Sequence, residues 1–516
     1  MNLRTFLAAS FLLSAFNSLA MTRYVDLNSL NPSPPYTNWS TAATVIQDAV
    51  DVASAGDLVL VTNGVYQEGG HVFYGVTNRV AVTAPVTVQS VNGPLVTAIR
   101  GFQVPTSVNG TNAIRCVYLT NSAALIGFTL TNGATRTGTI YFQFTFAIGG
   151  GVFGEGSSSI VSNCILIGNA AYLAGGGAYN ATLNNCSLIS NVVYSFNGGV
   201  GGGAESCVLN GCSVASNSAA GNGGGTSDGT LNNCHLIGNS ARVSGGGAQG
   251  GTLNGCILSG NTANGGGGAY LSKLNNCILT RNTAVTSGGG AQYSTTLNNC
   301  IVYYNTAPVD SNWSAMIGGI TLNYCCTTPL PSGPGNITNE PAFVDFLKGN
   351  LRLQSNSPCI NAGFNAYTTN STDLDENPRI LGGTVDIGAY EFQTPASVIS
   401  YAWLQQYDLP IDGSADHADS DSDGMDNWKE WICGTDPTNH FSVLRLLSPT
   451  VSPGSVVVSW QSVSQRHYSL QRATNLGTPS YFETLVTNFP GQTGTTTYID
   501  ATPIDARHFF YRVSVP

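Results

Sequence analysis

One four-residue phrase, returning at a nearly fixed interval, constrains this chain more than any other feature. Leu183-Asn184-Asn185-Cys186 recurs as Leu231-Asn232-Asn233-Cys234, Leu274-Asn275-Asn276-Cys277 and Leu297-Asn298-Asn299-Cys300. Aligning Cys164, Cys186, Cys212, Cys234, Cys256, Cys277 and Cys300 gives steps of 22, 26, 22, 22, 21 and 23 residues. Five residues after each Cys stands an Asn, at 169, 191, 217, 239, 261, 282 and 305. Gly triplets follow at 175–177, 201–203, 223–225, 245–247, 266–268 and 288–290, usually ahead of an Ala. Self-similarity of this kind marks a stacked architecture, in which one unit alone cannot bury its apolar face.

The composition of the repeat selects the stack. Helical repeats need long stretches free of Gly, and a Gly triplet in every unit excludes them. Between the turns lie short alternating segments such as Cys186-Ser187-Leu188-Ile189 and Cys234-His235-Leu236-Ile237, which read as strands. A coil of this length holds two or three of them, and successive coils lie ~4.8 Å apart. The expected fold is therefore all-β, a right-handed single-stranded parallel β-helix. The repeated Asn become a ladder of amides along the axis, and the Gly triplets allow bends at positive φ. The Cys positions form a column of small buried side chains. Their parallel Cβ vectors suit an unbridged ladder better than disulfides, and no Cys stands at metal-ligand spacing from another Cys or a His. Cys325, Cys326, Cys359 and Cys433 have no assigned place.

Only 9% of the 516 residues are charged, and 62 are Gly, which suits tight polar turns around a thin core. The net charge of −10 excludes nucleic acid as a partner, since no basic stripe is available for phosphates. It also disfavours docking on anionic membranes. Arg4, the apolar run Phe6–Leu13 and Ser18-Leu19-Ala20 form a signal peptide over residues 1–20, so the chain is expected to be secreted, extracellular or at the cell surface. No later stretch reaches the ~20 apolar residues of a transmembrane segment. We expect a monomer.

A solenoid must cover the ends of its core. Apolar residues at 46, 49, 50 and 53 predict a capping helix over about 43–54, followed by the strand Leu58-Val59-Leu60-Val61. Tyr24-Val25-Asp26, Ile46-Gln47-Asp48-Ala49-Val50 and Gly56-Asp57 through Gly64-Val65-Tyr66 resemble the opening of bacterial pectin-lyase-like β-helix proteins. That resemblance covers residues 21–393, with regular repeats over about 150–305, and it implies a fold rather than an activity. The segment 320–393 resembles the choice-of-anchor Q module that caps such β-helices in surface proteins. Its marks are Pro341-Ala342-Phe343, Leu351-Arg352-Leu353, Ser357-Pro358-Cys359-Ile360-Asn361-Ala362-Gly363, Asp373-Leu374-Asp375, Pro378-Arg379 and Asp386-Ile387-Gly388-Ala389-Tyr390-Glu391.

Residues 394–439 change character. Asp419, Asp421 and Asp423 at loop positions 1, 3 and 5, Gly424 at 6 and Glu430 at 12 match the EF-hand calcium loop, with the Met425 carbonyl at 7 and Asn427 at 9. Asp426 departs from it at position 8, where an apolar residue is usual, which favours a single structural Ca2+ module over a sensor. With Gly434-Thr435-Asp436-Pro437 after it, the loop resembles acidic thrombospondin-type-3-like repeats of bacterial surface proteins. Residues 440–516 read as a small β-sandwich of the fibronectin III or immunoglobulin kind, on alternating segments such as Ser455-Val456-Val457-Val458-Ser459-Trp460.

Catalysis finds little footing in the repeats. From Val152 to Asn305 the Asp, Glu, Lys, Arg and His residues are Glu155, Glu205, Asp228, His235, Arg242, Lys273 and Arg281, and no two carboxylates recur at one coil position. The flanks hold the weak catalytic candidates Arg352, Asp373, Asp375, Arg379, Asp386 and Glu391, which coincide with the cap's recurring marks. The insertion around Arg136 and Tyr141-Phe142-Gln143-Phe144 offers aromatics for sugar stacking or for packing. Two expectations follow. One is a non-catalytic protein that binds a polysaccharide or cell-surface glycan, or serves in display. The other is a polysaccharide lyase or glycosidase with its site in the flanking segments.

Overall fold

The computed structural model describes residues 20–138, 144–196, 198–316, 318–452, 454–464, 466–476, 481–501 and 508–515. The expected signal peptide, save its last residue, and Tyr141-Phe142-Gln143 lie outside them. The chain is a parallel β-solenoid with a small antiparallel region towards its C-terminus. It divides into two compact units, Met1–Val192 and Val193–Pro516.

In the first unit three parallel sheets run along the stack. Thr22–Val25, Leu58–Val61, Thr87–Ser90, Ala124–Ile126, Ile160–Ser162 and Thr182–Asn184 pair in turn. That register places Val59, Val88, Leu125, Val161 and Leu183 in one buried column. Helix α1 (Ile46–Asp51), shorter than the sequence implies, buries Ile46, Ala49 and Val50. Its Gln47 does more than cover apolar surface. The Gln47 amide accepts from the Ala81 N–H at 2.7 Å and donates to the Ala81 carbonyl at 3.2 Å. Ala81 lies in a strand stretch that the hairpin strand His71–Phe73 does not reach, so a side chain replaces the missing neighbour.

The second unit repeats the arrangement beside a fourth parallel sheet of short strands, Ser218–Ala219, Ser240–Ala241, Thr262–Gly265 and Thr283–Ser287. Here each letter of the phrase acquires a separate task. Leu231, Leu253, Leu274, Leu297 and Leu322 stack in register at the core. The first Asn forms an amide ladder, Asn232 to Asn210, Asn254 to Asn232, Asn275 to Asn254 and Asn298 to Asn275, at 2.9–3.0 Å. The second Asn takes positive φ, 51° at Asn233 and 52° at Asn276 and Asn299, a conformation that Asn tolerates better than most residues. The Cys Sγ accepts the N–H of the preceding rung at 3.4 Å from Cys212 to Cys300.

The Asn five residues on form a second, wholly buried ladder. In Asn217, Asn239, Asn261 and Asn282, both the backbone N–H and the side-chain amide donate to the next Asn Oδ1, at 2.9–3.0 Å. All thirteen cysteines are free and buried. Cys325 extends the ladder by one rung, bonding the Leu297 and Asn323 carbonyls as Cys300 bonds those of Leu274 and Asn298.

The Gly triplets divide their work too. Only the first Gly has positive φ, as at Gly223 (63°) and Gly245 (67°). The second is required by close approach, since a Cβ on Gly224 would meet the Ser240 carbonyl carbon at 2.4 Å.

Beyond the coils, residues 361–391 pack on the column of second Asn. Asn299 accepts from the Phe364 N–H at 2.8 Å and donates to its carbonyl at 3.0 Å, and Asn370 donates to Asn233 at 2.7 Å. The terminal region holds two antiparallel three-stranded sheets. Ser455–Ser462 alternates strictly between half-exposed and buried, and Val456, Val458 and Trp460 meet Tyr468 and Leu470 in one core. Among the described residues no helix is long and apolar enough to cross a membrane.

Candidate functional site

Two crowded sets of acids lie in the second unit. The first is the linker loop, between α2 (Tyr401–Gln406) and α3 (Asn427–Cys433). Carboxylate oxygens of Asp419, Asp421 and Asp423 lie within 4.8 Å of one another, close enough to hold a metal ion. The backbone winds around them: Asp419 accepts the N–H of Asp423 at 3.2 Å and of Gly424 at 3.0 Å, and Asp423 that of Met425 at 2.8 Å. Gly424 sits at φ 96°, where a side chain would be strained. Helix α3 then supplies Asn427 and Glu430, both fully buried.

Four oxygens decide what this loop needs. Asp421 Oδ2, Asp423 Oδ2, Asn427 Oδ1 and Glu430 Oε2 are buried and have no hydrogen-bond partner among the described residues. Leaving one such atom unpaired costs about 1–3 kcal/mol, more when it is charged. Burial, then Asp421 and Asp423, push the Glu430 carboxyl up to about 7, and burial with Asp423 raises Asp421. Only oxygen donors are present, the ligand type preferred by a hard divalent cation. The loop thus fits a metal ion.

The departure from the EF-hand pattern at Asp426 has a local cause. Asp426 is the N-cap of α3, accepting the Lys429 N–H at 2.9 Å and pairing with its ammonium at 3.0 Å. Its carboxylate serves the helix rather than the loop. Gly434 ends α3 at φ 74°, and the Thr435 hydroxyl lies 3.3 Å from Glu430 Oε1, so the Gly-Thr-Asp-Pro tail fixes the last acid.

The second set is the cap. Asp373 accepts the N–H groups of Asp375, Asn377 and Glu391 at 2.9–3.0 Å. Asp386 accepts those of Asn361 at 2.7 Å and Phe392 at 2.6 Å, and Glu391 those of Leu381 at 3.0 Å and Asp386 at 3.1 Å. Arg379, 3% exposed, lies 3.9 Å from Glu391 and donates to the Asp386 and Gly388 carbonyls. Burial lifts Asp386 to about 7 and Glu391 to about 8. These residues clamp the backbone. Arg352 and Asp375 alone stand out, as a partly exposed ion pair at 2.5 Å, with Arg352 4.9 Å above the Tyr390 ring.

Sequence reasoning missed a third feature, the second coil position after each Gly triplet. Its signal was legible, because the Gly triplets fix the register. In the first unit this position is filled by Phe153 and Tyr179, stacked at 5.5 Å, with Tyr118 at 5.9 Å beyond Phe153. In the second unit it is filled by Glu205, Ser227, Gln249, Tyr270 and Gln292. Glu205 is pushed up to about 7 by burial, with Asp228 adding to the effect, and its Oε2 has no partner among the described residues.

No family model matches the chain, and no curated protein matches it. Among solved structures it is similar to the pectate lyase Pel9A, at 17% identity over 73% of this chain and 97% of that one, with a TM-score of 0.45. A rhamnogalacturonan lyase is 13% identical over 65% of this chain and 95% of that one, with a TM-score of 0.39. A complex of XylC with xylose is 9% identical over 72% and 99%, also at 0.39. At these values the likenesses establish neither family nor activity.

Proposed function

We propose that the protein is a secreted or cell-surface β-helix protein that binds or displays against glycan without catalysis. Its linker holds one Ca2+ between Asp419, Asp421, Asp423, the Met425 carbonyl, Asn427 and Glu430. The observation that carries this reading is the contrast between the two acid sets. In the cap, Asp373, Asp386 and Glu391 are engaged by backbone N–H groups, while oxygens unpartnered among the described residues cluster in the linker. Bound Ca2+ would neutralise the crowded carboxylates and fix α3 against the loop. The resemblances to a β-helix surface protein, a choice-of-anchor Q cap and a fibronectin III-like terminal domain fit the same role.

The test uses the exported chain with calcium against acidic and neutral polysaccharides, following unsaturated products, new reducing ends and retention. Retention without products supports the reading; turnover overturns it. One observation favours the alternative, a polysaccharide lyase or glycosidase, though with its site in the coils rather than in the flanking segments expected from the sequence: Glu205, with a pKa of about 7, an oxygen unpartnered among the described residues and Asp228 adding its charge. On that alternative, products form and Glu205→Gln abolishes them.

A further inference from the structure

A cavity of about 1080 Å³ opens in the second unit between the cap, the linker helices and the terminal β-region. Its walls carry three of the chain's six tryptophans: Trp403 on α2, and Trp428 and Trp431 on α3. Trp428 is 37% exposed, while Trp403 and Trp431 are half-buried in the small linker core. Phe364, 44% exposed and also in the lining, stacks on Tyr324 at 5.1 Å.

The charge of the lining is as telling as its rings. The chain carries 28 acidic residues, yet none is among the described residues lining this cavity, and its one charged side chain there is Arg466. Arg466 donates to the Trp431 carbonyl at 3.0 Å and pairs with no carboxylate among the described residues. Aromatic faces beside neutral amides match the alternating apolar faces and hydroxyl rims of a sugar chain. A guanidinium presents several donors in a fork suited to an anionic substituent.

We propose that this cavity binds a saccharide chain bearing anionic groups, carboxylate or sulfate, with Trp428 stacking on a ring and Arg466 taking the charge. The inference rests on the glycan-binding reading and gives it a place outside the coils.

The test measures dissociation constants of the intact protein, with calcium, by affinity electrophoresis in gels containing polygalacturonate, dextran sulfate or neutral dextran. Intrinsic fluorescence during titration with oligogalacturonate gives a second readout at the tryptophans. Trp428→Ala is expected to weaken binding at least tenfold. Arg466→Gln should weaken it about fivefold or more for whichever anionic polymer binds, and remove most of its salt dependence. The polymer arms separate uronate from sulfate as the source of charge. Binding of the wild type that both variants keep within twofold, with no fluorescence change, overturns the cavity while leaving glycan binding intact. Failure of the wild type to bind any polymer overturns both.

Discussion

The cap and the linker each gather three or more carboxylates in a small volume, and they resolve the repulsion in different ways. In the cap, Asp373, Asp386 and Glu391 receive backbone N–H groups from Asn361, Asp375, Asn377, Leu381, Asp386, Glu391 and Phe392, and a buried Arg379 lies among them. The linker sequence has no arginine, and Asp421, Asp423, Asn427 and Glu430 keep buried oxygens that are unpartnered among the described residues. Crowded acids therefore do not by themselves mark a site. What marks one is a cluster of oxygens left over after the backbone has been served.

Removing an acid should hurt most where the fold depends on it. Asp386→Ala leaves the N–H groups of Asn361 and Phe392 without their acceptor, each costing about 1–3 kcal/mol when buried and unpaired, so unfolding free energy should fall by about 2–6 kcal/mol, equally with calcium and with chelator. A loss that calcium restores would erase the distinction between the two sets. Calcium should stabilise the wild type by about 2.7 kcal/mol at a hundredfold excess over Kd. In Glu430→Gln that calcium-dependent gain should shrink to a small fraction, as thermal unfolding with and without EDTA will read.

The cap also carries a pH signature. Asp386 and Glu391 have pKa values raised by burial, to about 7 and about 8. Their protonated forms are favoured in the fold, so their contribution is full below the unfolded values near ~4 and is lost as pH rises through 7 and 8. With calcium saturating, Tm should fall between pH 6 and 9, and Glu391→Gln should flatten that slope. A Tm rising over this range would contradict the assignment. The smallest effects concern residues outside both sets. Asp426→Ala removes a helix cap and should cost about 1 kcal/mol without abolishing calcium binding. Arg352→Ala breaks a partly exposed pair and should cost roughly 0.5 kcal/mol.

Much of the fold was legible because stacking turns a sequence repeat into a spatial column. Leu231, Asn232 and Cys234 each meet their own kind one coil on, so the phrase could be read as geometry. The loop acids were legible for a similar reason, since their ligand spacing is local. The cap was not. Asp386 and Glu391 carry the same carboxylates as Asp421 and Glu430, and only the folded backbone shows that N–H groups converge on the first pair. Nor could the sequence place Trp403, Trp428 and Trp431 beside Arg466, because the cavity joins segments with no shared period.

Isothermal calorimetry of calcium into the chelator-treated intact protein, with Glu430→Gln alongside, tests the linker assignment most directly. Binding of one ion per chain with Kd of about 10⁻³ M or tighter is expected, within the range of extracellular calcium modules, with the heat lost in the variant. No binding at millimolar calcium, or equal binding by the variant, would contradict it and leave the linker's buried oxygens without a partner.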